Sequence, residues 1–415
     1  MFVMSNLLIL TYHYPPENTA GSERVSSLVQ HFANHEGEEI AVVTLNYCQS
    51  NGNVEPQNDY AEVFRLNSVK YCKDSFVKRA LGEFLNSLRI VWNARKLSAE
   101  KVLISIPSMF LMLLAPIFLN GKTLILDIRD LVWDYLPENS FVFRFSKSIL
   151  RTLVRHSLKS YDLVLVTNSI QAEKLELIYP KIRGRLKVVE NGISRVRFEG
   201  LDKTRKIIQQ RSEKGRGPYK VSSVGNVGMS LHIQTLIHTA AKLPSNDFEF
   251  YIIGDGTQLD KAKKLVRRKG LKNVQFIGQL DWNALGEYYS QSDLLYLQVH
   301  PDYNSSRPVR FYEYLATGLP IVLADKGEAR DFALQFDNVF HTEPCCEIQL
   351  RDLLIQLKNN PPHCFSTQNV QKIADGFIRE DQLKIKFREA LELVDTKAIL
   401  LTKAEGQGSL SSSNV

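Results

Sequence analysis

The chain has 415 residues, is 44% hydrophobic and 23% charged, and carries a formal net charge of +7. That length suits two domains of ordinary size, and the balance excludes a disordered or collagen-like chain. The positive charge favours an acidic partner without choosing among nucleic acid, anionic lipid and nucleotide. Five cysteines, Cys48, Cys72, Cys345, Cys346 and Cys364, form no CxxC pair or zinc pattern, which points to reduced thiols in a cytoplasmic protein.

Residues 1–6 lack the basic segment and cleavage site of a signal peptide. Leu7–Thr11 reads as a first buried strand. Ser22–Asn34 reads as a helix with Val25, Leu28, Val29 and Phe32 on one face, and Glu39–Leu45 as the next strand. Between the first strand and that helix, Ala20-Gly21 offers a turn where backbone approaches a ligand and a helix N-terminus favours an anion. Lys70 to Lys96 carries seven basic residues against Asp74 and Glu83. Val102 to Leu119 has no charge, but Pro107 and Pro116 interrupt it. It reads as a strand, Val102–Ile106, followed by a buried or interfacial helix rather than a membrane span.

Thr123–Leu126 is the next strand, and Asp127-Ile128-Arg129-Asp130-Leu131 follows it. The C-terminal ends of strands are where α/β folds place ligands, so Arg129 and Asp130 are candidate site residues. An Arg–Asp ion pair is the structural alternative. Residues 141–160 contain Arg144, Lys147, Arg151, Arg155 and Lys159 with no acid. Phe141, Phe145, Ile149, Leu150, Leu153 and Val154 fall on another face. This basic amphipathic helix suits an anionic membrane surface. No zinc finger, RNA-binding signature or basic–aromatic interleaving appears, so no nucleic acid is expected as a partner. Leu163–Thr167 and Leu186–Val189 complete the first series of strands.

A composition shift between Arg195 and Tyr219 reads as a linker, taken as 197–218. The rhythm then resumes. Val221–Val224, Phe248–Ile253, Val274–Ile277, Leu294–Gln298 and Ile321–Leu323 read as strands. Leu231–Ala241, Gln258–Lys269, Ala284–Gln291 and a late helix, Phe377–Val394, lie among or after them. The βαβα order predicts two α/β halves with parallel sheets. The predicted domains are 1–196, 219–376, a helix over 377–398 packing back on the first half, and a disordered tail over 399–415.

The most informative run is Ser306 to Val322. Pro308 can open a short helix, Gly318 can cap it left-handed, and Pro320 stops it before a buried strand. Ser305, Ser306, Arg307 and Arg310 flank its N-terminus and favour a phosphate. Glu313, inside the helix, can accept hydrogen bonds from sugar hydroxyls. A diphosphate and a ribose on one helix suggest a nucleotide-sugar site.

The pattern Pro308, Arg310, Glu313-Tyr314-Leu315-Ala316, Gly318, Pro320 resembles the donor-binding motif of GT-B fold, family-4 retaining glycosyltransferases. The resemblance implies two Rossmann-like domains with parallel sheets facing a central cleft. It implies transfer of a sugar from a nucleotide-diphosphate donor to a lipid-linked or polysaccharide acceptor in cell-surface glycan biosynthesis. Glu313 would hold the ribose, while Arg310 and Arg307 would hold charge on the leaving diphosphate. Gly225-Asn226-Val227-Gly228 and Gly254-Asp255-Gly256 match donor loops of the family, Ile277 precedes a loop whose backbone reads the base, and Gly21 lies in a loop facing donor phosphates and acceptor. Arg129 and Asp130 resemble the Arg-Asp-Leu motif of a surface-polysaccharide subgroup and would lie near the transferred sugar. Glu190-Asn191-Gly192-Ile193 resembles a turn into the hinge. Such enzymes need no cofactor or metal, and many work as cytoplasmic, peripheral proteins on the inner face of the plasma membrane.

Three positions depart from the family. Asn226 and His232 stand where it has an Arg and a Lys, and Ser305 stands where many members have a second Glu. They motivate a rival reading, a non-catalytic GT-B scaffold in a polysaccharide assembly complex. An NAD-dependent enzyme is a third reading, opposed by the lack of GxGxxG after the first strand.

Overall fold

The computed structural model describes residues 6–17, 19–37, 39–46, 60–69, 76–106, 108–135, 141–211 and 217–390. The expected tail over 399–415, Cys48, Cys72 and the start of the basic segment at Lys70 and Lys73 fall outside those residues. The chain divides into two units, residues 1–191 with 380–415, and residues 192–379.

The first unit runs β1 (Leu7–Leu10), α1 (Ala20–His31), β2 (Ile40–Asn46), β3 (Glu62–Asn67), α2 (Phe76–Ala94) and β4 (Lys101–Ile106). It continues with α3 (Met109–Phe118), β5 (Thr123–Ile128), α4 (Phe141–Leu158), β6 (Leu163–Val166), α5 (Ser169–Ile178) and β7 (Leu186–Val188). Its seven strands are parallel in the order β3-β2-β1-β4-β5-β6-β7. The inner strands are apolar runs buried on both faces, as a parallel sheet under helices requires. Leu383, Phe387 and Ala390, from the C-terminal segment, are fully buried with Val25, Leu28 and Phe32 of this unit's core.

The second unit runs α6 (Arg195–Gly200), α7 (Asp202–Gln209), β8 (Tyr219–Val224), α8 (Gln234–Ala240), β9 (Phe248–Ile253), α9 (Leu259–Lys269) and β10 (Val274–Gly278). After these come α10 (Trp282–Gln291), β11 (Leu294–Gln298), α11 (Val309–Thr317), β12 (Ile321–Ala324), α12 (Glu328–Ala333), β13 (Val339–Thr342), α13 (Glu347–Asn359) and α14 (Thr367–Gly376). Its six strands, again parallel, have the order β10-β9-β8-β11-β12-β13.

Three differences from the expected elements have physical causes. Residues 195–209 form two helices where a linker was expected. Their apolar anchors are few, Leu201 and Ile208, and the buried Arg205 does much of the packing. Its guanidinium lies 4.4 Å from the Phe198 ring and donates to the Ala316 carbonyl at 3.0 Å. A cation that packs like an apolar residue makes a helix look like a polar loop. Strand β3 was missed because it is an edge strand with only half-buried residues at its centre. The uncharged stretch around Val102 holds β4 and α3, and among the described residues no helix is long and apolar enough to cross a membrane.

Helix α4 also differs in detail. Val154 and Leu158 face the core, while Phe145, Ile149 and Leu153 are exposed beside exposed Arg144, Arg151 and Arg155. The outer face is thus apolar as well as basic.

Candidate functional site

Ligands of open parallel sheets bind beyond the carboxyl ends of the strands where the strand order reverses. In the first unit the reversal falls between β1 and β4, and in the second between β8 and β11. Helix α1, with Gly21 in its first turn, follows β1. Gly225 follows β8, and Ser305 to Arg307 follow β11. Topology therefore brings these predicted residues to the switch point of their own unit.

In the second unit, helix α11 begins after Pro308 and ends at Gly318, whose φ of 78° is the left-handed cap expected of glycine there. Phe311 to Thr317 are all buried. Tyr314 fixes the helix to the end of β8: its hydroxyl accepts from the Val224 N–H at 2.6 Å. Glu313 is buried in the middle of a charged network. Tyr289 donates to its Oε1 at 2.6 Å, Arg310 Nη1 lies 2.5 Å from the same oxygen, and Arg197 Nη1 lies 3.3 Å from Oε2. Burial alone would raise the Glu313 pKa, but Arg310, Arg197 and the Tyr289 hydroxyl outweigh it and hold the carboxyl below its ordinary value. Burial likewise works against the charge of Arg310, and Glu313 more than compensates. The Tyr289 hydroxyl is pushed well above its ordinary range, first by burial and then by the Glu313 charge. The result is a carboxylate held charged and fixed by three donors.

Arg307 is not a free cation. Its Nε donates to both oxygens of Glu328, at 2.9 and 2.8 Å, its Nη1 donates to the Tyr312 hydroxyl at 2.6 Å, and its guanidinium covers the Phe332 ring at 3.7 Å. The expected pairing of Arg307 and Arg310 with a diphosphate meets an Arg307 already paired with Glu328, whereas Arg310 and Arg197 share the single Glu313 carboxylate. Ser305 is fully buried, and the Ser306 N–H donates to the Tyr303 carbonyl at 2.9 Å. Gly327 lets this loop close: a Cβ there would lie 2.1 Å from the Asn304 carbonyl oxygen.

The other loops interlock at the carboxyl edge of the sheet. A Cβ on Gly254 would lie 1.9 Å from the Gly225 carbonyl oxygen, and one on Gly256 would lie 2.4 Å from Asn226 Oδ1. Gly254 has a φ of 140° and Gly225 one of 151°. Gly254 and Gly256 are required by this close approach, and Gly225 by its φ, for there a Cβ would meet nothing within 4 Å. Gly228 carries no such constraint, with the Asn226 amide as its nearest neighbour at 3.4 Å. Ile277 is half-buried at a register shift between Phe276 and Gly278 in β10.

In the first unit, Thr19 caps α1 by accepting from the Ser22 N–H at 3.1 Å. The Arg129 guanidinium lies in the notch left by Gly21, where a Cβ would come within 1.9 Å of Nη1. The Arg129 carbonyl accepts from Gln171 Nε2 at 3.0 Å, which fixes the loop after β5. Burial lowers the Arg129 pKa, Asp127 and Asp130 partly restore it, and Arg24 lowers it again. Asp130 accepts from the Tyr135 hydroxyl at 2.8 Å. A buried Arg–Asp pair does exist here, but between Arg24 and Asp127: Arg24 Nε and Nη2 donate to Asp127 Oδ1 at 3.0 and 2.7 Å.

Gly21→Ala is expected to leave the melting temperature unchanged or slightly raised, because alanine favours a helix over glycine by about 1 kcal/mol. Any function that depends on the position of Arg129 is expected to fall, because the flexible guanidinium must move aside. Thermal melts alongside activity or binding check the split.

The sequence did not point to Arg197 or Tyr289, the partners that orient Glu313, nor to Glu328, which neutralises Arg307. Arg197 lies 116 residues before Glu313, in a stretch read as linker, and no local pattern joins them. Glu190 to Ile193 were read as structural, which agrees with Gly192: its φ is 56°, and a Cβ there would lie 2.5 Å from the Phe377 carbonyl oxygen.

Residues 204–372 match the family described as Glycosyl transferases group 1. A GDP-mannose-dependent alpha-mannosyltransferase of Mycolicibacterium smegmatis is 29% identical over 111 residues, 27% of this chain and 27% of that relative. The match thus spans about a quarter of the curated relative's length. Among solved structures, the sucrose-phosphate synthase (tll1590) of Thermosynechococcus elongatus is similar with a TM-score of 0.68 and 14% identity, over 96% of this chain and 99% of that one. A glycosyltransferase from Rickettsia africae has a TM-score of 0.62 and 14% identity, over 95% and 99% of the two chains. Anabaena Alr3699/HepE, solved with UDP-glucose, has a TM-score of 0.57 and 16% identity, over 96% and 100%. The two Rossmann-like units therefore have the GT-B fold, and residues 204–372 of the second match the glycosyl transferases group 1 family.

Proposed function

We propose that this protein is a retaining glycosyltransferase of family 4. It moves a sugar from a nucleotide-diphosphate donor to a lipid-linked or polysaccharide acceptor in cell-surface glycan biosynthesis. The observation that carries this reading is Glu313: a buried carboxylate, held charged by Arg310 and Arg197, on the helix at the switch point of a group 1 domain. It serves the donor ribose. Backbone of the Gly225, Gly254 and Ile277 loops lines the rest of the nucleotide, and Arg129 and Asp130 serve the transferred sugar.

The apolar and basic outer face of α4 supports a second partner, an anionic membrane surface at the cytoplasmic side. Vesicles containing anionic lipid should retain the protein at low salt. Failure to do so reduces that face to a solvated helix.

The test of the activity is thermal stabilisation by UDP, GDP, ADP, dTDP and NAD. A nucleotide at 100 times its dissociation constant adds about 2.7 kcal/mol. Stabilisation by one nucleoside diphosphate, lost in Glu313→Gln, supports a transferase, and the anomeric configuration of the product then decides retention. Stabilisation by NAD alone overturns the reading. The ion pairs that already occupy Arg307 and Arg310 favour the rival, a GT-B scaffold without turnover, which predicts nucleotide binding without product, or no binding.

A further inference from the structure

Among the described residues, three non-glycine residues have left-handed backbone, and two of them, His232 and Cys345, touch each other. Such backbone persists only where the surroundings enforce it, and it gathers at ligand sites and switches. Here a buried amide enforces it. Gln298 Nε2 donates to the His232 carbonyl at 3.2 Å, and Gln298 Oε1 accepts from the Cys345 N–H at 3.1 Å. The His232 ring is held in turn. Its Nδ1 lies 3.1 Å from Thr235 Oγ1 and 3.7 Å from Cys345 Sγ. The His300 ring stands 5.4 Å from it, centroid to centroid. The His300 N–H donates to the Ser230 carbonyl at 2.8 Å, so the two loops are tied together by backbone as well.

The location matters as much as the contact. His232 follows β8 and His300 follows β11, the two strands between which the order of the second sheet reverses. The pair therefore straddles the place where open parallel sheets take their ligands. Both rings are reachable by solvent, each being only partly buried. Of the two arginines near this end, Arg307 is paired with Glu328, and Arg310 shares Glu313 with Arg197. Among the described residues no group of three histidine, cysteine or acidic side chains is placed to hold a metal ion. What two adjacent imidazoles can offer instead is protonated N–H donors, and these suit a phosphate.

We propose that His232 and His300 form a phosphate-binding pair that takes up a proton when the phosphate arrives, so that ligand binding strengthens as pH falls. The proposal rests on the nucleotide-sugar reading only for what carries the phosphate, namely the diphosphate of the donor. The groups facing the pair are His238 on α8, Cys345, and Asp302, whose carboxylate lies 3.5 Å from His300 Nδ1. Burial first, and then His300 and His238, hold His232 below the ordinary imidazole range in the free protein. It is therefore largely neutral at neutral pH. A bound phosphate favours the imidazolium, so binding and protonation are linked, and affinity rises as pH drops. The Asp302 carboxylate opposes an anion beside it, and the Asp302 backbone N–H donates to His300 Nδ1 at 3.3 Å.

The experiment is calorimetric titration of the full chain with UDP, GDP and inorganic pyrophosphate at about pH 6, 7 and 8, in buffers of different ionisation enthalpy. The proteins are wild type, His232→Gln, His232→Lys and His300→Gln, each with a melting curve to establish folding. Because phosphate titrates in the same range, the readout is the difference in slope between wild type and variant. The wild type is expected to gain affinity over His232→Gln by several-fold, up to about tenfold, per unit fall in pH, with net proton uptake. His232→Lys should bind tightly with little pH dependence. A nucleotide that binds wild type and His232→Gln with the same slope overturns the histidine pair and leaves the nucleotide reading standing. Pyrophosphate binding with the expected slope, but no nucleotide binding, supports the pair and overturns that reading. Binding of neither overturns both.

Discussion

Glu313→Ala is expected to destabilise the second unit by about 3–5 kcal/mol and to abolish nucleotide binding. Removing one member of a buried ion pair leaves its partners as uncompensated buried charge, and that penalty dominates the loss. Here two guanidiniums, Arg310 and Arg197, are left without their carboxylate, and the Tyr289 hydroxyl loses its acceptor. Glu313→Gln keeps the shape and one acceptor, so its cost should be smaller while the binding defect remains. The pair of variants separates unfolding from loss of a ligand contact. Denaturant unfolding followed by tryptophan fluorescence can resolve the unit affected, since Trp282 lies in the second unit and Trp92 and Trp133 in the first. Unchanged unfolding of the Trp282 region in Glu313→Ala contradicts the buried network. The pH dependence has a definite sign. The folded pKa of Glu313 lies below the unfolded value, so its stabilisation is fully present above the ordinary glutamate range, about 4.3, and is lost as pH falls through the lower folded value. Glu313→Gln should therefore lose less stability than wild type across that acid range.

Asp127→Ala should cost a similar amount, about 3–5 kcal/mol, but in the first unit. Arg24 and Asp127 are 1% and 0% exposed, and Ser105 Oγ donates to Asp127 Oδ2 at 3.0 Å. Arg24 also donates to Asn191 Oδ1 at 3.2 Å, so this pair connects α1, β4, β5 and the last residues of the unit. The expected signature is early loss of the first unit's fluorescence transition, with the Trp282 transition retained. Replacing both partners, as Arg24→Met with Asp127→Leu, should recover much of the loss, since no charge is then left buried alone. If the double variant is as unstable as Asp127→Ala, a cavity or misfit rather than unpaired charge is the cause.

Much of the fold was legible because its causes are local. Short apolar runs such as Val102–Ile106 and Ile321–Leu323 cannot be anything but buried strands in this context, and the βαβα order leaves parallel sheets as the arrangement that covers them. Helix α11 was legible because proline and glycine punctuate it. Elements held by non-local or polar packing were not. Strand β3 depends on pairing with β2 along an exposed edge, and α7 depends on Arg205 reaching Phe198 and Ala316.

The site divides along the same line. By itself, the sequence determined which residues stand beyond the ends of strands: Arg129, Gly225 and Ser305 lie in segments that follow a strand, and Gly21 and Glu313 lie in the helices that come next. It could not determine how most of their charges are matched: Arg310 meets Glu313 three residues along its own helix, but Arg24 meets Asp127 and Arg307 meets Glu328 across more than 20 residues. Only the tertiary structure decided that Arg307 is paired with Glu328, that Arg310 and Arg197 share Glu313, and that the histidine at position 232 meets the one at 300. Chain order sets where a residue sits along a strand or loop; the electrostatic environment that gives it a role depends on which side chains the sheet order brings beside it.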